Sequence, residues 1–149
     1  VWGKEILVVN DLDILVVEDE PFQREMLRDV LIKEGHRVRE AENGAKALRL
    51  LGAGCFDLIL LDLRMPDMNG LEVLREAKRL NPETDAVIIT AFGTIETAVA
   101  AMKAGARDYI TKPVDIEELF LLIQRIAAHR TLSAVEVGGV FLLTLAAVR

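Results

Sequence analysis

The chain predicts an α/β domain built on a parallel sheet covered by helices on both faces, and three observations carry that expectation. Short apolar, β-branched runs alternate with amphipathic stretches five times over from residue 14 onward. The runs "ILVV", "LILL" and "AVII" are apolar at every position, as strands buried on both sides require. Parallel neighbours need crossover connections, nearly all of them right-handed, and a helical stretch stands between each pair of runs to supply one.

Taken in order, "ILVV" (14–17) is the first strand. Residues 21–34 follow as a helix, because Phe22, Met26, Val30 and Leu31 recur at helical spacing, Pro21 suits a first turn and Gly35 suits the stop. "HRVREA" (36–41) has only Val38 and Ala41 apolar and reads as an edge strand. Residues 45–53 form a helix, "FDLILLD" (56–62) a buried strand, and residues 71–80 a helix launched after "PDMNG". "DAVIIT" (85–90) is another buried strand, followed by an Ala-rich helix over 94–103 that Gly105 stops. "DYIT" (108–111) is a short strand, and the last helix runs from 115 to about 129. The expected organisation is an N-terminal extension (1–12), one domain (13–130) and an apolar tail (131–149) of unassigned role.

With 149 residues, 52% of them hydrophobic, the chain can bury one proper core. The net charge of −6, without a basic stripe or an aromatic-interleaved Lys/Arg cluster, argues against direct binding to nucleic acid. Cys55 has no second cysteine to pair with, and its apolar neighbours in "GAGCFDLILLD" predict a small buried hydrophobe in a reducing compartment. No apolar stretch reaches the roughly 18 to 20 residues that span a bilayer. The opening residues lack the pattern of a secretory leader, so the expected location is cytoplasmic, without membrane contact.

Ligand sites in open parallel sheets lie beyond the carboxyl ends of the strands, at the switch point between the first and third. Glu18, Asp19 and Glu20 follow the first strand, Asp62 the third, Thr90 ends the fourth, and Lys112-Pro113 follow the fifth. Each alone reads as surface; their coincidence at one sheet edge does not. Carboxylates brought together repel, and so protonate or recruit a cation. An all-oxygen site suits Mg²⁺, and zinc is disfavoured because His36, His129 and Cys55 are not among these residues. One screened carboxylate can then act as a nucleophile toward a phosphoryl group, with Lys112 and Thr90 placed to meet its oxygens.

These residues fall in "VVEDE" (16–20), "LLDLRMPDMNG" (60–70), "IITAFG" (88–93) and "DYITKP" (108–113), and with them the chain resembles the receiver domain of two-component response regulators over roughly residues 13–130. The resemblance implies a flavodoxin-like, doubly wound sheet of order 2-1-3-4-5. It implies that Asp62 is the phospho-acceptor for a sensor histidine kinase. Mg²⁺ would be held by Asp19, Asp62 and the backbone carbonyl of Arg64, with Glu18 reaching it through water. Thr90, Ala91 and Lys112 would contact the phosphoryl group, Tyr109 would be the aromatic switch, and Lys112-Pro113 would be a cis peptide. The protein would be no enzyme beyond its own phosphoryl transfer and slow dephosphorylation. The stretch "TAFGTIETAVAAMKAGARDYITKPVDIEEL" is especially similar to receivers of the nitrogen-regulation type, which control activators of an alternative sigma factor. An output domain or partner is then implied outside this chain, with transcription the expected output.

In the fourth helix only Ile95, Val99 and Met102 are sizeable apolar anchors, so little area is buried per turn and the helix should shift easily. Movement of Thr90 and Tyr109 on phosphorylation would bias it. In "LFLLI" (119–123), Ile116, Leu119, Phe120 and Ile123 can face the sheet, leaving Leu121 and Leu122 either to the C-terminal tail or to a homodimer or output surface formed with the fourth helix and fifth strand.

Three rival readings stand beside this one. "ILVVNDLDILV" resembles the nucleophile motif of haloacid-dehalogenase-type phosphatases, with Asp11 as nucleophile and Asp13 as general acid; against it, a new strand starts at once at Ile14 and no paired acid follows Lys112. A flavin carrier of the same fold would need a Ser/Thr/Gly-rich phosphate loop where "EDEPF" stands. An interaction-only receiver would have no need of the intact acid, Thr and Lys set. The duplicate "ILVVND" (6–11) of the first strand is expected on a sheet edge or a partner chain, since the first strand already has neighbours on both sides.

Overall fold

A computed structural model describes residues 11–138, with side chains through residue 130. Ten elements alternate: β1 Asp13–Val17, α1 Pro21–Lys33, β2 Arg37–Ala41, α2 Gly44–Ala53, β3 Leu58–Leu61, α3 Gly70–Leu80, β4 Asp85–Thr90, α4 Ile95–Lys103, β5 Asp108–Thr111 and α5 Ile116–Gly138. The five strands form one parallel sheet of order β2-β1-β3-β4-β5, the doubly wound flavodoxin-like arrangement. β1 has β2 and β3 on its two sides. The duplicate strand at 6–11 and the apolar tail beyond 138 lie outside the described residues, apart from Asp11.

Residues Leu12–Val114 form one compact unit. Side chains alternate across its sheet, as the strand period dictates. Leu15, Val17, Ile59, Leu61, Ala86 and Ile88 point to one face and meet Ala47 and Leu51 of α2 and Val73, Leu74 and Ala77 of α3. Ile14, Val16, Leu58, Leu60, Val87 and Ile89 take the other parity and are equally buried. Burial of both parities is why the three central strands carry no polar residue between their ends.

Several helix faces differ from expectation. In α1 the buried seam is Leu27 and Leu31, one turn apart, while Phe22 in the first turn is 76% exposed. In α4, Ile95, Val99 and Met102 are not anchors: all three are exposed, and Ala101 alone is buried. The helix turns its small residues inward, which permits close approach, and its large ones outward. Cys55 is exposed, because it sits in the surface segment that follows the end of α2 at Ala53, and Phe56 takes the buried place instead.

α5 belongs to a second unit. Leu119, Leu122, Ile123, Ile126 and Ala127 are buried there, so Leu122 joins the buried face and Leu121 is exposed. The helix runs through Gly138, past the end expected near residue 129. No Gly or Pro interrupts residues 116–137, so nothing in the chain halts the helix earlier.

Candidate functional site

At the carboxyl edge of the sheet, backbone bonds carry the ladder one residue past the strands. The Glu18 N–H donates to Ala41 O at 3.0 Å, the Asp62 N–H to Val17 O at 3.0 Å and the Lys112 N–H to Thr90 O at 2.9 Å. Each chemistry-bearing residue therefore has its backbone fixed by a strand while its side chain stands beyond the sheet. Among the described residues only Glu18, Asp62, Thr84 and Thr90 are buried and polar or charged, and three of the four are at this edge. The fourth, Thr84, donates its hydroxyl to Phe56 O at 2.8 Å, a purely structural use.

The acidic turn after β1 is held from α1. Arg24 donates through Nη1 to the carbonyls of Glu18 (2.8 Å) and Asp19 (3.3 Å), and the Glu20 carboxylate caps α1 by accepting the Phe22 and Gln23 N–H groups. Asp19 is thereby left exposed beside two buried acids. Glu18, Asp19 and Asp62 each offer a carboxylate oxygen, and the three atoms lie within 4.8 Å of one another. The set is all oxygen and partly open, which fits Mg²⁺ better than a softer metal.

Lys112 lies between the two buried acids. Its Nζ donates to Glu18 Oε1 and, at 2.7 Å, to Asp62 Oδ2; the other Asp62 oxygen accepts the Arg64 N–H at 3.0 Å. Burial raises the Glu18 carboxyl above its ordinary range, and hydrogen bonds from Lys112 and the Glu20 N–H recover only part of that. Burial alone would lower Lys112, but its bonds to Asp62 and Glu18 outweigh it and hold the ammonium above its ordinary value. Among the described residues, Lys112 is the cation bonded to these carboxylates, one ammonium against the three acids Glu18, Asp19 and Asp62.

Thr90 ends β4 fully buried, with its Oγ1 accepting the Phe92 N–H at 3.3 Å; Ala91 follows it, exposed. The Arg64 guanidinium lies 3.6 Å from the centre of the Phe92 ring, linking the segments that follow Asp62 and Thr90. The Tyr109 hydroxyl lies 3.1 Å from Thr97 Oγ1, the residue that closes the capping box of α4 with Thr94. The Lys112–Pro113 bond is cis.

Glu18, Asp19, Asp62, Arg64, Thr90, Ala91, Lys112 and Pro113 therefore lie at the carboxyl edge of the sheet, within the unit Leu12–Val114, with Tyr109 in β5 beside them. Asp13 does not: it opens β1 at the opposite end and pairs with Arg37 Nε at 2.7 Å, which removes the geometry an Asp11/Asp13 phosphatase needs. Sequence reasoning missed Arg24, Asp67, Gly70 and Thr97. Gly70 alone had a legible signal, "NG" before a helix; a Cβ there would come within 2.5 Å of Asp62 O, so only glycine lets α3 start this close to the acid.

Residues 14–124 match the response regulator receiver domain family. The chain is 43% identical over 124 residues to the transcriptional regulatory protein ZraR of Klebsiella oxytoca, covering 83% of this chain and 28% of ZraR. It thus spans little more than a quarter of that relative's length. NtrX from Brucella abortus superposes with a TM-score of 0.77 at 36% identity, covering 86% of this chain and 29% of NtrX. A response regulator from Burkholderia pseudomallei, solved with a phosphorylated aspartic acid, a calcium ion and citrate, has a TM-score of 0.73 at 31% identity, covering 87% of this chain and 76% of that one. These likenesses agree with the nitrogen-regulation type read in the sequence.

Proposed function

The chain belongs to the response regulator receiver family, and on that premise we propose that Asp62 accepts a phosphoryl group from a sensor histidine kinase. The observation that carries this is the Asp62 carboxylate, buried and held on one oxygen by Lys112 and on the other by the Arg64 N–H, beside Glu18 and Asp19. The related Burkholderia structure contains a phosphorylated aspartic acid and a divalent cation, which supports the same chemistry here.

Asp19, Asp62 and the Arg64 carbonyl would hold Mg²⁺, with Glu18 reaching it through water. When bound, the ion neutralises the acids and draws charge from the phosphoryl oxygens. A carboxylate oxygen of Asp62 attacks phosphorus as the P–N bond of the donor phosphohistidine breaks. The electron pair returns to the imidazole nitrogen, which takes a proton from solvent. Lys112 then exchanges its Asp62 contact for a phosphoryl oxygen, and Thr90 turns its hydroxyl from the Phe92 N–H toward another. Ala91 supplies a neighbouring backbone N–H.

Inward movement of Thr90 leaves room for Tyr109 to follow, and α4, which buries only Ala101, is the element that yields. ZraR is a transcriptional regulatory protein, and a transcriptional output is carried over here as part of the proposal, with residues 13–130 as the signalling unit. The test is an amide NMR spectrum of the chain with a small phospho-donor and Mg²⁺. Shifts are expected at Thr90, Ala91 and Tyr109 in the wild type and none in Asp62→Asn. An unchanged wild-type spectrum would favour an interaction-only receiver.

A further inference from the structure

We propose that Asp67 is a positioning residue for the metal-binding loop, fixing the Arg64 carbonyl by tying the loop's tip to the start of α2; this deepens the metal site proposed above and rests on that reading. The loop between β3 and α3 is tied at its root. The Gly70 N–H donates to Leu63 O at 2.9 Å, Arg64 and Asn69 form an isolated antiparallel bridge, and Asn69 caps α3 by accepting the Leu71 N–H at 2.9 Å. Those ties set the two ends of the loop side by side, but do not hold the tip that runs on from Arg64.

Asp67 holds the tip. Its two carboxylate oxygens accept the Gly44 and Ala45 N–H groups, each at 2.9 Å. α2 does not need this for capping alone, because Asn43 already accepts the Lys46 N–H at 2.8 Å. Asp67 instead meets two further donors of the first turn, and its charge is favourable at the positive end of the helix. Met68 seats beside it so closely that a Cβ on Gly44 would lie 2.3 Å from its Cγ. An exposed acid is thus bonded across 22 and 23 residues of sequence to a helix that contributes nothing else to the site. Arg64 is the residue at which root and tip meet; its N–H holds Asp62 Oδ1 at 3.0 Å, and its carbonyl is a proposed ligand.

Mg²⁺ demands near-octahedral geometry, so slack in one protein ligand weakens binding. Loss of an outer group that orients a ligand typically costs affinity by about tenfold or more. The experiment is a Mg²⁺ titration of the whole chain, followed by the amide shifts of Asp19, Asp62 and Arg64, in wild type, Asp67→Ala, Asp67→Asn and Asp19→Asn. Asp67→Ala should bind Mg²⁺ roughly tenfold more weakly while keeping a folded spectrum. Asp67→Asn, which retains one acceptor oxygen and guards against loss of fold in the alanine variant, should fall between.

A merely structural role would lower unfolding stability and leave Mg²⁺ affinity where it was; wild-type affinity in both Asp67 variants overturns the inference. If Asp19→Asn abolishes binding while the Asp67 variants bind normally, only the positioning role fails. If Asp19→Asn binds as wild type does, the metal site itself is misassigned, and the positioning role goes with it.

Discussion

Lys112→Met puts the electrostatics of the site to a quantitative test. Methionine keeps the apolar stem and removes the charge that holds Glu18 and Asp62. The acid side chains are 3% and 8% exposed, so they cannot simply turn to water, and breaking a buried pair from one side costs about 3–5 kcal/mol. A cheaper escape caps that cost: one carboxyl takes up a proton. From an ordinary glutamate value of 4.5 to pH 7, at about 1.4 kcal/mol per pH unit, that escape costs about 3.4 kcal/mol. Exposed Asp19 shows that solvent reaches the rim, which lowers the expected loss at pH 7 to about 2–3 kcal/mol. Because the variant binds a proton that the wild type does not, the loss shrinks by about 1.4 kcal/mol per pH unit on acidification and falls below about 1 kcal/mol near pH 5.5. Urea denaturation of both proteins at pH 7.0, 6.2 and 5.5 (about one titration decade or more in all) reads this directly. A loss below about 1 kcal/mol at pH 7, or one that does not change with pH, would refute the view that Lys112 is the main counter-charge of two buried acids.

Further outcomes follow from other contacts. Thr97→Val removes the half of the α4 capping box in which Thr97 Oγ1 accepts the Thr94 N–H, and with it the bond to the Tyr109 hydroxyl, and should destabilise by about 1 kcal/mol and speed amide exchange in the first turn of α4; Thr97→Ser should restore both. Gly70→Ala forces a Cβ against Asp62 O and should destabilise by about 1–3 kcal/mol in urea while weakening Mg²⁺ binding in titration. The Asp67 carboxyl is held below its ordinary 3.8 by the Gly44 and Ala45 N–H groups, so its stabilisation is present above that value and lost as the pH falls through the lowered one. The urea midpoints of wild type and Asp67→Ala should therefore converge in acid.

What could be read in advance divides along physical lines. The strands "ILVV", "LILL" and "AVII" were legible because burial on both faces leaves one kind of residue to choose from. Their order placed Glu18, Asp62, Thr90 and Lys112 at one edge, since a parallel sheet sends every strand's carboxyl end the same way. Which face a helix buries is a different matter. Ile95, Val99 and Met102 have helical spacing suited to a core, yet α4 turns Ala101 inward, because the space available is decided by elements distant in the chain. Cys55 had apolar neighbours, but a surface turn governs its exposure. Arg24, Asp67 and Thr97 act through side-chain hydrogen bonds set by the fold, and a single polar residue in a helix or loop has no period to betray such a role.

The central claim is that Asp62 is the group that carries the phosphoryl. Mass spectrometry of the chain after treatment with a small phospho-donor, with and without Mg²⁺, tests it most directly, using wild type and Asp62→Asn. The account predicts one added phosphoryl, mapped to the peptide containing Asp62, dependent on Mg²⁺ and absent from the variant. Equal labelling of Asp62→Asn, or no labelling of the wild type with Mg²⁺ present, would contradict it.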